Sequence, residues 1–389
     1  MSKAGGFVFV IKYWKTSICF LFIWSMICLN IALVSAKDLN VSAKSCILIE
    51  ASSGRVLYSV NEREQLPIAS TTKIMSALLA LEHGDLDTPF VAEDNAIMVE
   101  GSSMGLRFGD TVTLRDLCYG MLLPSGNDAA NLAAVRIAGS KEAFAELMNQ
   151  RAQEIGMTQT HFVTPSGLHN DDHYSTAYDM ALLAQEALKN TAFVDICKQK
   201  KAKLTFGNPP YDRWLSNHNK LLDYYEGCIG MKTGFTKKAG RCLVSAVERD
   251  GMVLICVTLN DPNDWLDHAN IFDYGFSLVQ KVNLTPDLSG ICANAVGATQ
   301  DTIPLTVQEL SVVLTAEEQQ RLQSRMLLRP FYEAPIQQGE RLGSYEYLLD
   351  GEVIASGDIC AAVDILSIKE QKVSIWERIK YYFKIIFLK

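Results

Sequence analysis

Ser70 and Lys73 stand three residues apart in the stretch Pro-Ile-Ala-Ser-Thr-Thr-Lys-Ile-Met, residues 67–75. A proline upstream, hydroxyl residues suited to a cap and first turn, and the apolar run Ile74, Met75, Ala77, Leu78, Leu79 and Leu81 predict a helix starting near Ser70. On a helix, residues three apart share a face, so the hydroxyl and the amine can touch. A serine is a weak nucleophile until a base takes its proton. A lysine serves as that base only if burial or a neighbouring cation lowers its pKa from about 10.4. The start of the helix would also favour negative charge developing near Ser70. Taken alone, the stretch is better explained as a capped helix with a solvated lysine, so the reading depends on partners.

Two other stretches offer such partners. Residues 114–123 read as an apolar helix, Pro124-Ser125-Gly126-Asn127 breaks it, and helical composition resumes at Asp128. A polar break between apolar helices brings Ser125 and Asn127 to an otherwise buried place. Lys232-Thr233-Gly234 lies on or just before a strand, followed by strand signals over 240–247 and 252–259, adjacent and antiparallel. A glycine in such a strand leaves room for another backbone to approach. Upstream, residues 45–49 and 56–60 read as strand, turn, strand, and helices are expected over 179–188 and 265–279.

Length, composition and charge bound the class. The chain has 389 residues, 48% hydrophobic and 21% charged, with a net charge of −8. That describes a globular protein with an ample core, and the acidic balance argues against nucleic acid as a partner. Residues 1–36 read as a signal peptide: Lys3, Lys12 and Lys15, then an apolar stretch from about Ile18, then Val34-Ser35-Ala36. An uncleaved anchor is the alternative, and either way the bulk of the chain is exported. The eight cysteines beyond it are scattered singly, several within apolar runs, and read as buried thiols with no disulfide assigned. His161, His169 and His173 with Asp171 and Asp172 fit no metal-ligand spacing, so no metal and no cofactor are expected. Beyond Lys281, short β-prone runs and an Asp350-Gly351 hairpin signal a small β-rich domain over 282–368. Residues 369–389 form an amphipathic pattern: Ile375, Ile379, Tyr382, Phe383 and Ile386 on one face, Lys380 and Lys384 on another. This fits a helix lying on the outer face of an anionic membrane.

Taken together in this order, Ser70-x-x-Lys73, Ser125-Gly126-Asn127 and Lys232-Thr233-Gly234 form a triple used by penicillin-binding proteins and serine β-lactamases. With residues 119–130, Gly167-Leu168-His169, residues 173–177 and residues 230–236, the chain resembles the low-molecular-mass penicillin-binding proteins, serine-type D-alanyl-D-alanine carboxypeptidases. The resemblance implies an α+β transpeptidase-like fold over 37–281: a five-stranded antiparallel sheet sandwiched by helices, with an all-α lobe beside it. The substrate would be a peptidoglycan stem peptide ending in D-Ala-D-Ala, with β-lactams as covalent inhibitors. Ser70 would be acylated, Lys73 would be the base, and Ser125 would relay a proton to the leaving D-alanine. Asn127 would hold Lys73 and the substrate amide; Lys232 and Thr233 would bind the terminal carboxylate. The Ser70 and Phe235 N–H groups would form the oxyanion hole, and Gly234 would let the substrate lie as an added strand. Phe235 replaces a histidine found in some members. His218, where some carry arginine, is an auxiliary carboxylate-binding candidate.

Two alternatives stand beside this reading. A β-lactamase of the same fold would need a glutamate placed for fast deacylation, and Glu146 with Asn149 falls on a structural helix. A non-catalytic cell-wall-binding relative would not need every motif residue.

Overall fold

A computed structural model describes residues 39–92 and 95–368. The expected signal peptide at 1–36 and amphipathic helix at 369–389 lie outside the described residues. The described residues from Ser42 onward belong to one compact unit.

The sheet grows from the apolar runs. Strands β1 (Ser45–Glu50) and β2 (Val56–Val60) form the first hairpin. Two-stranded pairings follow between β3 (Phe90–Val91) and β4 (Thr111–Val112), and between β5 (Lys201–Gly207) and β6 (Pro210–Ser216). Then come β7 (Cys228–Thr236), β8 (Gly240–Arg249) and β9 (Met252–Leu259). The main sheet has the order β2-β1-β9-β8-β7, antiparallel throughout, so β7 is an edge strand.

An antiparallel sheet with one wet face would alternate polar and apolar residues, but β1 is buried along its whole length. The reason is a helix on each face. Ile47 and Ile49 join the main core that includes the Ala177–Leu188 helix. Leu48 turns the other way, to the Asp264–Leu278 helix; a Cβ on Gly275 would stand 2.4 Å from Leu48 Cδ2, so only a glycine permits that approach.

Beside the sheet lies an all-α lobe built from Lys73–Glu82, Leu114–Leu122, Asn127–Ala138 and Lys141–Ile155. Ala129, Ala130, Ala133 and Ala134 are all fully buried, and their small side chains let the Asn127–Ala138 helix pack closely against its neighbours. Helix starts are set by side-chain caps: Thr113 with Asp116 as a capping box, Ser140 on Ala143 N–H, Thr176 on Asp179 N–H.

After the Asp264–Leu278 helix the chain enters the strand Val279–Leu284 directly, and this pairs with Leu310–Thr315. A four-stranded sheet (Leu305–Val307, Glu352–Ala361, Arg341–Leu349, Gln323–Leu328) and a three-stranded one complete the β-rich region. Asp350 and Gly351 both take positive φ, 51° and 90°, at the expected hairpin turn. Arg55 of the first hairpin's turn reaches across to Glu318, Nη1 standing 2.6 Å from each carboxylate oxygen.

Candidate active site

The turn carrying Ser70 differs in detail from a plain capped helix. Ala69–Thr72 is a 3-10 turn, and the α-helix begins only at Lys73. The threonine hydroxyls do not cap it. Thr71 Oγ1 donates to the Ile68 carbonyl and Thr72 Oγ1 to the Ala69 carbonyl, both at 2.7 Å. Each binds the carbonyl three residues before it, as hydroxyl residues inside a turn do; Ala69 itself takes φ +48°, a left-handed conformation costing about 1–2 kcal/mol for a residue with a Cβ. The tight turn still places Ser70 and Lys73 on one side: Lys73 Nζ and Ser70 Oγ are hydrogen-bonded at 2.9 Å.

Lys73 is fully buried. Its amine has two further acceptors, Asn127 Oδ1 and the Ser166 carbonyl, each at 2.7 Å. All three are neutral oxygens. Burial, and then the nearby Lys232, push its pKa well below the ordinary lysine value, with Asp128 opposing. Lys232 is itself buried on β7 and donates to the Thr233 carbonyl at 2.8 Å. Burial pushes its pKa down to about 7.

Asn127 opens its helix and is held from three directions. Its N–H donates to the Ser102 carbonyl and its Nδ2 to the Glu100 carbonyl, which turns Oδ1 towards Lys73. Ser125, buried two residues earlier in the break, takes φ +63°. Beside them Asp128 accepts the N–H groups of Met104, Gly105 and Leu106 and the Ser103 hydroxyl, clamping the 103–106 loop over the helix start.

On the other wall, β7 runs against the Ser70 turn. A Cβ on Gly234 would stand 3.0 Å from the Ile68 carbonyl and 3.1 Å from the Ser70 and Thr71 nitrogens. Thr233 is half-buried, and the Phe235 side chain is 65% exposed. His218 donates its N–H to the Leu123 carbonyl; burial and then Lys232's charge lower its pKa.

The structure thus bonds Ser70, Lys73 and Asn127 directly and sets β7, with Lys232, Thr233, Gly234 and Phe235, across the turn from them. His218 senses Lys232. Sequence reading missed Asp128 and the Ser166 carbonyl. A buried aspartate right after Asn127 was a usable signal; a backbone acceptor leaves none. Asn149 exchanges two hydrogen bonds with the Phe162 backbone, as a structural residue does. Among the described residues no group of His, Cys, Asp and Glu is placed to hold a metal ion.

Residues 32–263 match the D-alanyl-D-alanine carboxypeptidase family of peptidases, and residues 293–369 match the C-terminal domain of penicillin-binding protein 5. The chain is 33% identical over 340 residues to the D-alanyl-D-alanine carboxypeptidase DacF of Bacillus subtilis, covering 85% of this chain and 87% of that one. It is 32% identical over 335 residues to DacC of Escherichia coli, covering 81% and 82%. Among solved structures, penicillin-binding protein 5 of Haemophilus influenzae superposes with a TM-score of 0.64 at 27% identity, over 84% of this chain and 98% of that one. The carboxypeptidase DacD of Francisella tularensis gives 0.63 at 26% identity, over 86% and 96%.

Proposed function

From the premise that this chain belongs to the D-alanyl-D-alanine carboxypeptidase family of serine peptidases, we propose that it removes the terminal D-alanine of peptidoglycan stem peptides through an acyl-enzyme on Ser70. The observation that carries this is Lys73: buried, bonded to Ser70 Oγ at 2.9 Å, ringed by neutral acceptors and next to a second lysine. Burial and the second lysine both favour the neutral amine, which keeps two N–H groups for Asn127 and the Ser166 carbonyl and turns its lone pair to the Ser70 hydroxyl, ready to take its proton.

The substrate lies along the open edge of β7, its terminal carboxylate at Lys232 and Thr233. Binding a carboxylate stabilises the Lys232 cation, and that cation disfavours a second charge on Lys73. Lys73 Nζ then accepts the Ser70 proton as Oγ attacks the carbonyl carbon of the penultimate D-alanine. Negative charge develops on the carbonyl oxygen between the Ser70 and Phe235 N–H groups. Ser125 gives its proton to the departing amine and takes the one held by Lys73 in exchange, D-alanine leaves, and an ester links the stem to Ser70 with Lys73 neutral again. Water activated by the same base hydrolyses the ester and restores Ser70. Asn127 fixes Lys73 and offers its remaining amide proton to the substrate backbone; His218 borders the carboxylate site. A β-lactam ring is opened by the same attack and leaves a penicilloyl ester.

The protein works outside the cytoplasm, as is typical of this family. Among the described residues no helix is long and apolar enough to cross a membrane. The finer reading is peripheral attachment to the outer membrane face through residues 369–389 after loss of residues 1–36. Sedimentation with anionic vesicles, with and without 369–389, tests it. Release of D-alanine from a D-Ala-D-Ala pentapeptide tests the catalytic reading: Lys73→Met is expected to lose at least a thousandfold in kcat/KM, and near wild-type turnover would overturn it.

A further inference from the structure

His173 belongs to none of the three reactive motifs, yet its ring is buried and each nitrogen is engaged. Nδ1 accepts the backbone N–H of Val163 at 3.0 Å and of Thr164 at 3.2 Å. A ring nitrogen that accepts carries no proton, so the imidazole is neutral and its proton sits on Nε2. That nitrogen is 2.8 Å from Thr72 Oγ1. The Thr72 hydroxyl has one proton, and the Ala69 carbonyl at 2.7 Å can only accept it, so Thr72 takes its other bond from His173. The relay runs one way: Val163 and Thr164 N–H to His173, His173 to Thr72, Thr72 to the Ala69 carbonyl.

The end of that relay matters because a peptide unit is planar. The Ala69 carbonyl and the Ser70 N–H belong to one plane and point in opposite directions. Holding the carbonyl aims the N–H. The plane needs holding, since Ala69 sits at φ +48°. The same loop packs closely on this carbonyl: a Cβ on Gly167 would stand 2.0 Å from Ala69 O. It also presents the Ser166 carbonyl to Lys73. We infer that His173 is a positioning residue for the oxyanion hole: through Thr72 it sets the tilt of the Ala69–Ser70 peptide plane and ties that turn to the 163–168 loop. The inference rests on Ser70 being the nucleophile. Burial, with His161 and His169 nearby, pushes the His173 pKa down to about 4, which keeps the clamp neutral at ordinary pH.

The test uses the full chain in detergent, with benzylpenicillin acylation resolved by stopped flow into a binding constant and an acylation rate constant. Thr72→Val removes the hydroxyl at constant size. His173→Asn keeps an acceptor where Nδ1 was and loses the donor to Thr72. Each is expected to slow acylation about tenfold, the effect of losing about 1.4 kcal/mol of transition-state stabilisation, with binding changed less than about twofold. The double variant is expected to be no slower than Thr72→Val, because that change already cuts the relay on both sides of the hydroxyl. His173→Gln, with a donor where Nε2 was, is expected to recover part of the rate. If His173→Asn does not fold, Thr72→Val decides the matter alone, with its melting temperature as control. Unchanged acylation in a wild type that labels Ser70 normally, additive losses, or binding and rate falling together with the melting temperature would each overturn the inference. A wild type that takes no label at Ser70 would overturn the catalytic reading and this inference with it.

Discussion

Lys232 gives the sharpest pH prediction. A buried lysine with a pKa near 7 binds a carboxylate only as the cation, so affinity must fall as pH rises through that value. About nine in ten Lys232 side chains are charged at pH 6 and about one in thirty at pH 8.5. If the bound carboxylate keeps the lysine charged, the apparent Kd of a carboxylate ligand weakens about 30-fold across that range, roughly 2 kcal/mol. The acylation rate constant moves the other way or stays level, because Lys73 acts as the free base. Stopped-flow acylation by benzylpenicillin separates the two constants. An uncharged ester of the drug lacks the group Lys232 grips and is expected to show no pH dependence in Kd. Lys232→Arg, charged at every pH, should flatten the profile whatever its absolute affinity. A Kd that is constant from pH 6 to 8.5, or that varies equally for acid and ester, refutes the reasoning.

Other perturbations follow from the same geometry. Gly234→Ala sets a Cβ about 3 Å from three backbone atoms of the nucleophile turn and displaces β7; acylation is expected to fall at least a hundredfold, with a melting temperature within a few degrees of wild type. Asp128→Asn removes the charge on which the 103–106 loop is hung; a loss of about 2–3 kcal/mol in denaturant unfolding is expected. His268 is fully buried between Ser245 and Thr258, and burial pushes its pKa down to about 3. Its folded pKa lies below the unfolded value near 6.5, so its contribution is whole above pH 6.5 and drains away below it by about 1.4 kcal/mol per pH unit. His268→Gln should therefore shallow the acid limb of the stability curve, read from melting temperatures between pH 4 and 7.

The candidate residues were legible because the chemistry proposed for them restricts their types. A serine with a lysine three residues on, a polar break between apolar helices and a Lys-Thr-Gly strand each carry a physical reason for their place. Individual strands were legible through their apolar runs and the 114–123 helix through its composition, while the five-stranded sheet and the all-α lobe were implied by the resemblance. What stayed hidden is carried by backbone or by inversion of the usual pattern. Any residue supplies a carbonyl, so the Ser166 acceptor left no trace. Nothing in Ala69 announces a left-handed turn, and Thr71 and Thr72 look like caps while bonding backward. The hairpin over Lys201–Gly207 and Pro210–Ser216 went unassigned although Ala202, Leu204 and Phe206 alternate. Its partner strand buries Arg213, stacked on Phe206 and Tyr211 and paired with Asp110, where an apolar residue would have made the alternation plain. His173 read as ordinary loop polarity because its role depends on a turn about a hundred residues away in sequence.

The account turns on Ser70 as an acylated nucleophile, and an intact-mass time course with benzylpenicillin tests that most directly. The wild type is predicted to gain one penicilloyl group, localised to Ser70 by peptide mapping and persisting for minutes to hours, while Ser70→Ala gains none. A fleeting adduct with rapid destruction of the drug would mark a β-lactamase instead. No adduct on folded protein, or equal labelling of Ser70→Ala, would contradict the account.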